Sequence, residues 1–167
     1  MFSIEAIMST DLITVSPTST LAEARNLMRT HRIHHLPVLD DNGTLVGLVT
    51  LTTVLAATDS VLRDSDSRIH AAEIVVKDIM VTDIATIDEH ASLRQAALFI
   101  EKHQIGCLPI VTGGKLRGII TDTDFVGVAI NLLELAEERA RQGDWQGFGL
   151  ALDELRALLE RLQSGGN

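Results

Sequence analysis

The feature that most constrains this chain is a long internal repeat. Shifting the sequence by 72 positions sets Met8 on Met80, Thr14 on Thr86, Leu21 on Leu93, Ala24 on Ala96, His31 on His103, Ile33 on Ile105 and Leu36-Pro37 on Leu108-Pro109. The offset slips by one in the turn Asp40-Asp41-Asn42-Gly43, which answers the shorter Thr112-Gly113-Gly114; beyond it Gly47 meets Gly118 and Thr50 meets Thr121. Repetition at this scale marks a supersecondary unit that cannot bury its apolar face alone, so the copies must pack.

Each copy carries the same local signals. A short strand, Ile13 to Val15 or Ala85 to Ile87, is followed by a helix with a capping box, Thr20-x-x-Glu23 or Ser92-x-x-Gln95. Leu21, Ala24 and Met28 make one apolar helix face; Leu93, Ala96 and Ile100 make its twin. Two strands follow across a Gly-containing turn, Leu36 to Leu39 with Leu45 to Val49, and Leu108 to Val111 with Leu116 to Ile120. Pro37 and Pro109 lack a ladder donor and are expected at a strand start or edge. A second helix starts near Thr50 or Thr121, so the unit reads β-α-β-β-α.

Thr58 to Arg68 reads as a polar loop and His70 to Asp78 as helical. After Phe125 a long helix runs towards Arg141, Gly143-Asp144 breaks it, and a last helix reaches about Gln163, with Leu152, Leu155, Leu159 and Leu162 on one face. That stripe serves either packing within its own domain or a dimer contact. The tail from Ser164 is expected to fray. The expected fold class is α/β (α+β): residues 1–60 as the first domain, 61–76 as linker, 77–140 as the second domain and 141–167 as a C-terminal helical extension.

The bulk numbers narrow the function. At 167 residues the chain suits one compact domain or two small units sharing a core. Aromatic residues are only 3%, so the core is aliphatic and base stacking on exposed rings is not a plausible mode of action. A net charge of −9 without a basic run argues against nucleic acid, whose binding rests on Lys and Arg neutralising phosphates. It argues equally against an anionic membrane surface. The most apolar stretch, Phe125 to Leu135, falls short of the about 20 residues a membrane span requires. Met1 to Met8 does not read as a secretory signal, and a cytoplasmic protein is expected. The single Cys107 excludes an intramolecular disulfide and reads as a reduced thiol in a strand.

Two β-α-β-β-α copies carrying IHHLPVLD and IGCLPIV, the second followed by GIITDTDF, resemble a tandem pair of CBS domains over roughly Glu5 to Phe125. The resemblance implies two domains packed through their sheets with pseudo-two-fold symmetry and two clefts between them. It implies ligands containing adenosine, such as AMP, ADP, ATP or S-adenosylmethionine, and regulation of a partner rather than chemistry. A homodimer through helices and an unknown regulated protein are implied partners. No cofactor is required, although magnesium would accompany ATP.

The residues support that reading. An ionised carboxylate only accepts hydrogen bonds, and it has lone pairs enough for both hydroxyls of a ribose. In the family pattern the acid of T-x-x-D holds the ribose, which here is Asp124. Thr121 and Thr123 offer hydroxyls, and the helix start favours an anion. The family places adenine against Met80, Ile84 and Ala85, with Ile105, Gly106, Cys107 and Pro109; the small Gly106 and Cys107 leave room for a flat ring. The positions facing the phosphates are held by His34 and His35, with Arg32 in support. Successive strand residues point to opposite faces, so only one histidine of the pair is expected to reach the ligand. A nearby anion favours the charged imidazole, so binding should tighten as pH falls from about 8 to 6. At the mirror positions stand Thr53, a hydroxyl, and uncharged Gly106-Cys107. One strong site per chain is therefore expected.

Three other readings compete. A metal held by His31, His34 and His35 is disfavoured, because a strand cannot aim neighbouring residues at one point. Asp122 and Asp124 beside a polyphosphate could hold magnesium, but no P-loop, G-x-S-x-G or HExxH motif accompanies them, which disfavours an enzyme. A pure dimerisation or docking module that binds no nucleotide is the most serious rival.

Overall fold

The structure, a computed structural model, describes residues 3–63 and 74–163. Its elements are α1 (Ile4–Ile7), α2 (Leu21–His31), β1 (His35–Leu39), β2 (Leu45–Thr50), α3 (Leu51–Arg63), α4 (Leu93–His103), β3 (Cys107–Thr112), β4 (Lys115–Thr121), α5 (Asp122–Arg141) and α6 (Trp145–Gln163). Both capping boxes form. Thr20 Oγ1 accepts from the Glu23 amide at 3.2 Å while Glu23 accepts from the Thr20 amide at 2.8 Å, and Ser92 and Gln95 repeat the exchange at 3.2 and 2.8 Å. Each exchange satisfies two amides that the first helical turn leaves without partners.

β1 and β2 pair antiparallel, with Pro37 opposite Leu48. The loop between them is closed by Asp40, whose Oδ1 accepts from the amides of Asn42 and Thr44 at 2.9 and 2.8 Å, with Gly43 at φ +75°. The second hairpin turns on Gly113 and Gly114, both at positive φ, the signature of a two-residue hairpin turn. The longer first loop and the register shift between Val38 and Leu39 account for the one-residue slip in the repeat.

Two compact units emerge. One gathers the described parts of residues 1–10, 87–110 and 118–167; the other gathers those of 11–86 and 111–117. In the second unit the core is Val15, Leu21, Ala24, Met28, Leu36, Val38, Val49, Val54 and Val76. In the first, Ile110, Ile120 and Phe125 are buried, and Val128, Leu132 and Leu155 join α5 to α6. The opening segments of the repeats are exchanged. Ser9 forms a two-way antiparallel bridge with Ile119 of β4, at 3.0 and 3.1 Å, while Val81 does the same with Leu48 of β2, at 2.9 Å both ways. Met8 lies over Gly118 and Met80 over Gly47, where a Cβ would come within 3.0 Å of each methionine's Cγ.

Several expectations change. The short strands at Ile13–Val15 and Ala85–Ile87 shrink to single parallel bridges, Val15 with Val38 and Ile87 with Ile110. Pro37 does not start β1 but lies inside it, on an edge strand of the two-stranded β1–β2 sheet, buried, its carbonyl accepting from the Val15 amide at 3.0 Å. Its nitrogen faces the Val15 side, so β1–β2 loses no bond, but the parallel ladder cannot extend back to Ile13. Pro109 is likewise buried within β3, its carbonyl accepting from the Ile87 amide at 3.1 Å.

Thr58 to Arg63 belong to α3 rather than a loop. Thr58 Oγ1 donates to the Val54 carbonyl at 2.7 Å, which lets a threonine sit inside the helix. Residues 64–68 of that stretch lie outside the described residues. So does 70–73 of the expected helix from His70 to Asp78. Its remainder is extended at Val75 and a single 3₁₀ turn at Val76–Asp78. Hydrogen bonds from Leu21 to Ile74 and from Val76 to Ser19 hold this segment against the start of α2. On α6 the inward face is Ala151 and Leu155, while Leu152 stays 36% exposed; the side chains of Leu159 and Leu162, like the tail from Ser164, lie outside the described residues. No helix among the described residues is long and apolar enough to cross a membrane.

Candidate functional site

The strand-to-helix junction of the second repeat concentrates the polar chemistry. β4 ends at Thr121 and α5 begins at Asp122, so the T-x-x-D residues occupy the cap and first turn. Asp124 Oδ2 accepts from the Thr121 amide at 2.7 Å and from the Thr121 hydroxyl at 2.9 Å. The carboxylate is thereby fixed, half-buried, with no hydrogen bond on Oδ1 among the described residues. Thr123 is exposed, and its amide and hydroxyl both turn to Asp122 Oδ1. The Asp122 amide donates to the Gly106 carbonyl at 3.3 Å, which ties the start of β3 to this helix start. Burial, reinforced by the charges of Asp122 and Asp124, pushes the Cys107 thiol up to about 12.

The structure thus gathers Thr121, Asp124, Gly106 and Cys107, with Ile105 half-buried beside them in the chain. Cys107 and Pro109 are core residues whose side chains are buried. Met80, Ile84 and Ala85 belong to the other compact unit; Met80 is packed on that unit's core and over Gly47.

The corresponding junction of the first repeat has different chemistry. Thr53 Oγ1 donates to the Thr50 carbonyl at 2.8 Å and accepts from the Thr50 amide at 3.1 Å. That hydroxyl's only proton is spent within its own turn. His34 is exposed, its carbonyl accepting from the Leu51 amide at 2.8 Å; His35 is half-buried opposite Thr50 in the β1–β2 ladder. Among the described residues no group of three His, Cys, Asp or Glu is placed to hold a metal ion.

The motifs pointed to Arg32 and His34 but not to Arg25 and Arg29. Arg25, Arg29 and Arg32 line, with His34, a concavity of about 700 Å³ beside α2. Arg25 and Arg29, four residues apart, share one face of α2, and Arg32 follows as the left-handed residue that ends the helix.

A repeated hairpin-and-helix unit with a fixed carboxylate at one helix start defines a paired-repeat α/β module. The CBS domain model matches residues 4–60 and 76–131, and the chain belongs to that family as a tandem pair. A Vibrio cholerae protein assigned to acetoin utilization is 41% identical, superposes with a TM-score of 0.71, and matches over 83% of this chain and 97% of its own. The Arabidopsis thaliana CBS-pair protein CBSX2, solved in complex with AMP, is 29% identical with a TM-score of 0.67, over 79% of this chain and 98% of its own. Homoserine O-acetyltransferase of Methanocorpusculum labreanum is 36% identical over 120 residues, 71% of this chain. The present chain spans only 22% of that enzyme's length.

Proposed function

We propose that this protein is a non-catalytic, cytoplasmic regulatory module that senses an adenosine-containing ligand, with AMP, ADP or ATP as the ligand class. The observation that carries the proposal is Asp124, a half-buried carboxylate oriented by Thr121 with one oxygen still open to accept. A ribose diol supplies two donors for such an acceptor. The AMP complex of CBSX2 supports the same reading. Ile105, Gly106, Cys107 and Pro109, with Met80, Ile84 and Ala85, are proposed to shape the adenine surface. Thr123 and the histidines His34 and His35 are proposed to serve the phosphates. The closed hydroxyl of Thr53 favours one strong site per chain. A net charge of −9 favours AMP or ADP over a triphosphate without magnesium. The module would act on a separate protein and work as a homodimer.

A thermal-shift panel of AMP, ADP, ATP and S-adenosylmethionine tests this. A ligand at 100 times its Kd adds about 2.7 kcal/mol. That should raise Tm by several degrees, and Asp124→Ala should abolish the rise. Calorimetry should give about one ligand per chain. No shift with any adenosine compound would leave the assembly module as the better reading. A shift with S-adenosylmethionine alone would move the ligand out of the nucleotide class.

A further inference from the structure

We propose that the hollow between the first turns of α2 and the Val15–Val38 bridge is a separate ligand site, one that takes a small neutral polyhydroxyl molecule such as a sugar or a cyclitol. Its volume of about 490 Å³ is within the usual range for small-ligand sites. Thr14, Ser19, Glu23 and Asn26 give it a polar side, and Leu27 and Leu39 an apolar one. Among the described residues no Lys, Arg or His lines it, so nothing there is suited to hold a phosphate. It shares only Asn26 with the arginine-lined concavity beside α2, and none of its residues with the set proposed for the adenosine ligand.

The polar side holds both donors and acceptors that the fold leaves unspent. Glu23 Oε2 accepts from the Thr20 amide at 2.8 Å, which leaves Oε1 without a partner among the described residues. Asn26 Oδ1 accepts from Arg29 Nη2 at 3.2 Å, so its amide nitrogen is left to donate. Ser19 Oγ accepts from the Ser16 amide at 3.3 Å and keeps its proton, and Thr14 adds a second hydroxyl. A ligand hydroxyl both donates and accepts, so a polyol matches carboxylate, carboxamide and hydroxyls together. An amine would leave the Asn26 nitrogen unmatched, and an anion would meet the charge of Glu23. The C–H face of a ring would lie on Leu27 and Leu39. The floor is fixed before binding. Val15 bonds to Pro37 and Leu39 at 3.0 and 2.9 Å, and the Ser19 carbonyl accepts from the Val76 amide at 2.8 Å, so binding requires little ordering of the chain.

The second repeat serves as an internal control. Ser19, Glu23, Asn26 and Leu27 correspond there to Ala91, Gln95, Leu98 and Phe99. Gln95 closes the same capping box, its Oε1 accepting from the Ser92 amide at 2.8 Å, so the cap does not demand the charge of Glu23. Leu98 stands 38% exposed, so the helix does not demand a polar side chain at the position of Asn26. The polar set is an addition to the shared fold, made in one copy only.

The test titrates the isotope-labelled full chain with D-glucose and with myo-inositol and follows amide chemical shifts. At least one probe should give saturable shifts in the millimolar range at Thr14, Ser19 and the Asn26 side-chain amide. Glu23→Gln keeps the cap in the way Gln95 does and should weaken that binding by at least about tenfold. Asn26→Leu/Leu27→Phe installs the second repeat's pair and should remove it. Both variants should respond to AMP as the wild type does, which separates this site from the proposed nucleotide site. Several outcomes would overturn the proposal: no saturable shift with either probe, shifts confined to other residues, or wild-type affinity in both variants. Glu23-dependent binding of putrescine without binding of either probe would also overturn it, in favour of an amine site.

Discussion

Cys107 and Asp124 show how one residue's surroundings set its chemistry. Burial first, and then Asp122 and Asp124, keep the thiol protonated up to about 12. Thiolate is the reactive form. The folded protein should therefore resist Ellman's reagent at pH 8 and react fully once unfolded in guanidinium. The same shift carries a sign for stability. The unfolded thiol ionises near 9.0 and the folded one near 12, so between these values the unfolded state holds fewer protons. Stability should fall as pH rises through that window, with no contribution from this thiol below it. A Cys107→Ala variant should show a flatter decline in denaturant melts across the same range. At the site, Asp124→Asn should lose the nucleotide-induced rise in Tm while its unliganded fold persists.

Helix starts and close glycine contacts carry the element-scale expectations. The Thr20–Glu23 exchange satisfies amides at both ends of one turn. Thr20→Ala should cost about 1 kcal/mol in urea unfolding. Gly118 is tighter still, because an added Cβ would lie 2.6 Å from Met8 Sδ and 3.1 Å from the Ser9 carbonyl oxygen. The methionine end can swing away, but the carbonyl belongs to the bridge with Ile119. Gly118→Val should therefore destabilise by about 1–3 kcal/mol, and Met8→Ala should recover part of that loss. Asp144 caps α6 through the Gly147 amide at 2.9 Å and pairs with Arg139 at 2.8 Å, contacts that hold its carboxyl below its ordinary value. Stability from this cap should be present at neutral pH and lost in acid as the carboxyl protonates.

At the scale of the whole molecule, α5 leaves Val126, Ile130 and Leu133 exposed at 57%, 50% and 45%. Their spacing puts them on one side, away from the buried Phe125, Val128, Leu132 and Ala136. This stripe is the surface best suited to the proposed homodimer. Sedimentation equilibrium should show a dimer for the wild type and a shift towards monomer for Ile130→Glu, with unchanged circular dichroism. A wild-type monomer at high concentration would remove the homodimer from the proposal.

The sequence alone determined the elements whose signals are local. Both capping boxes, the two hairpins, the starts of α3 and α5, and the break at Gly143-Asp144 rest on hydrogen bonds within a few residues, so chain spacing suffices to read them. The resemblance marked Thr121 and Asp124, and their mutual bonds span only three positions. Tertiary structure decided what depends on distant partners. Pro37 reads locally as a strand start or an edge, and only the placement of Val15 shows that its missing donor falls on the bridge side. Met80 packs over Gly47 and the Cys107 side chain is buried, contacts that no local signal announces. The exchange of opening segments, Ser9 onto β4 and Val81 onto β2, has no local signature at all. The two repeats carry the same strand pattern, so the sequence does not say which copy an opening segment joins, and that choice is made by packing.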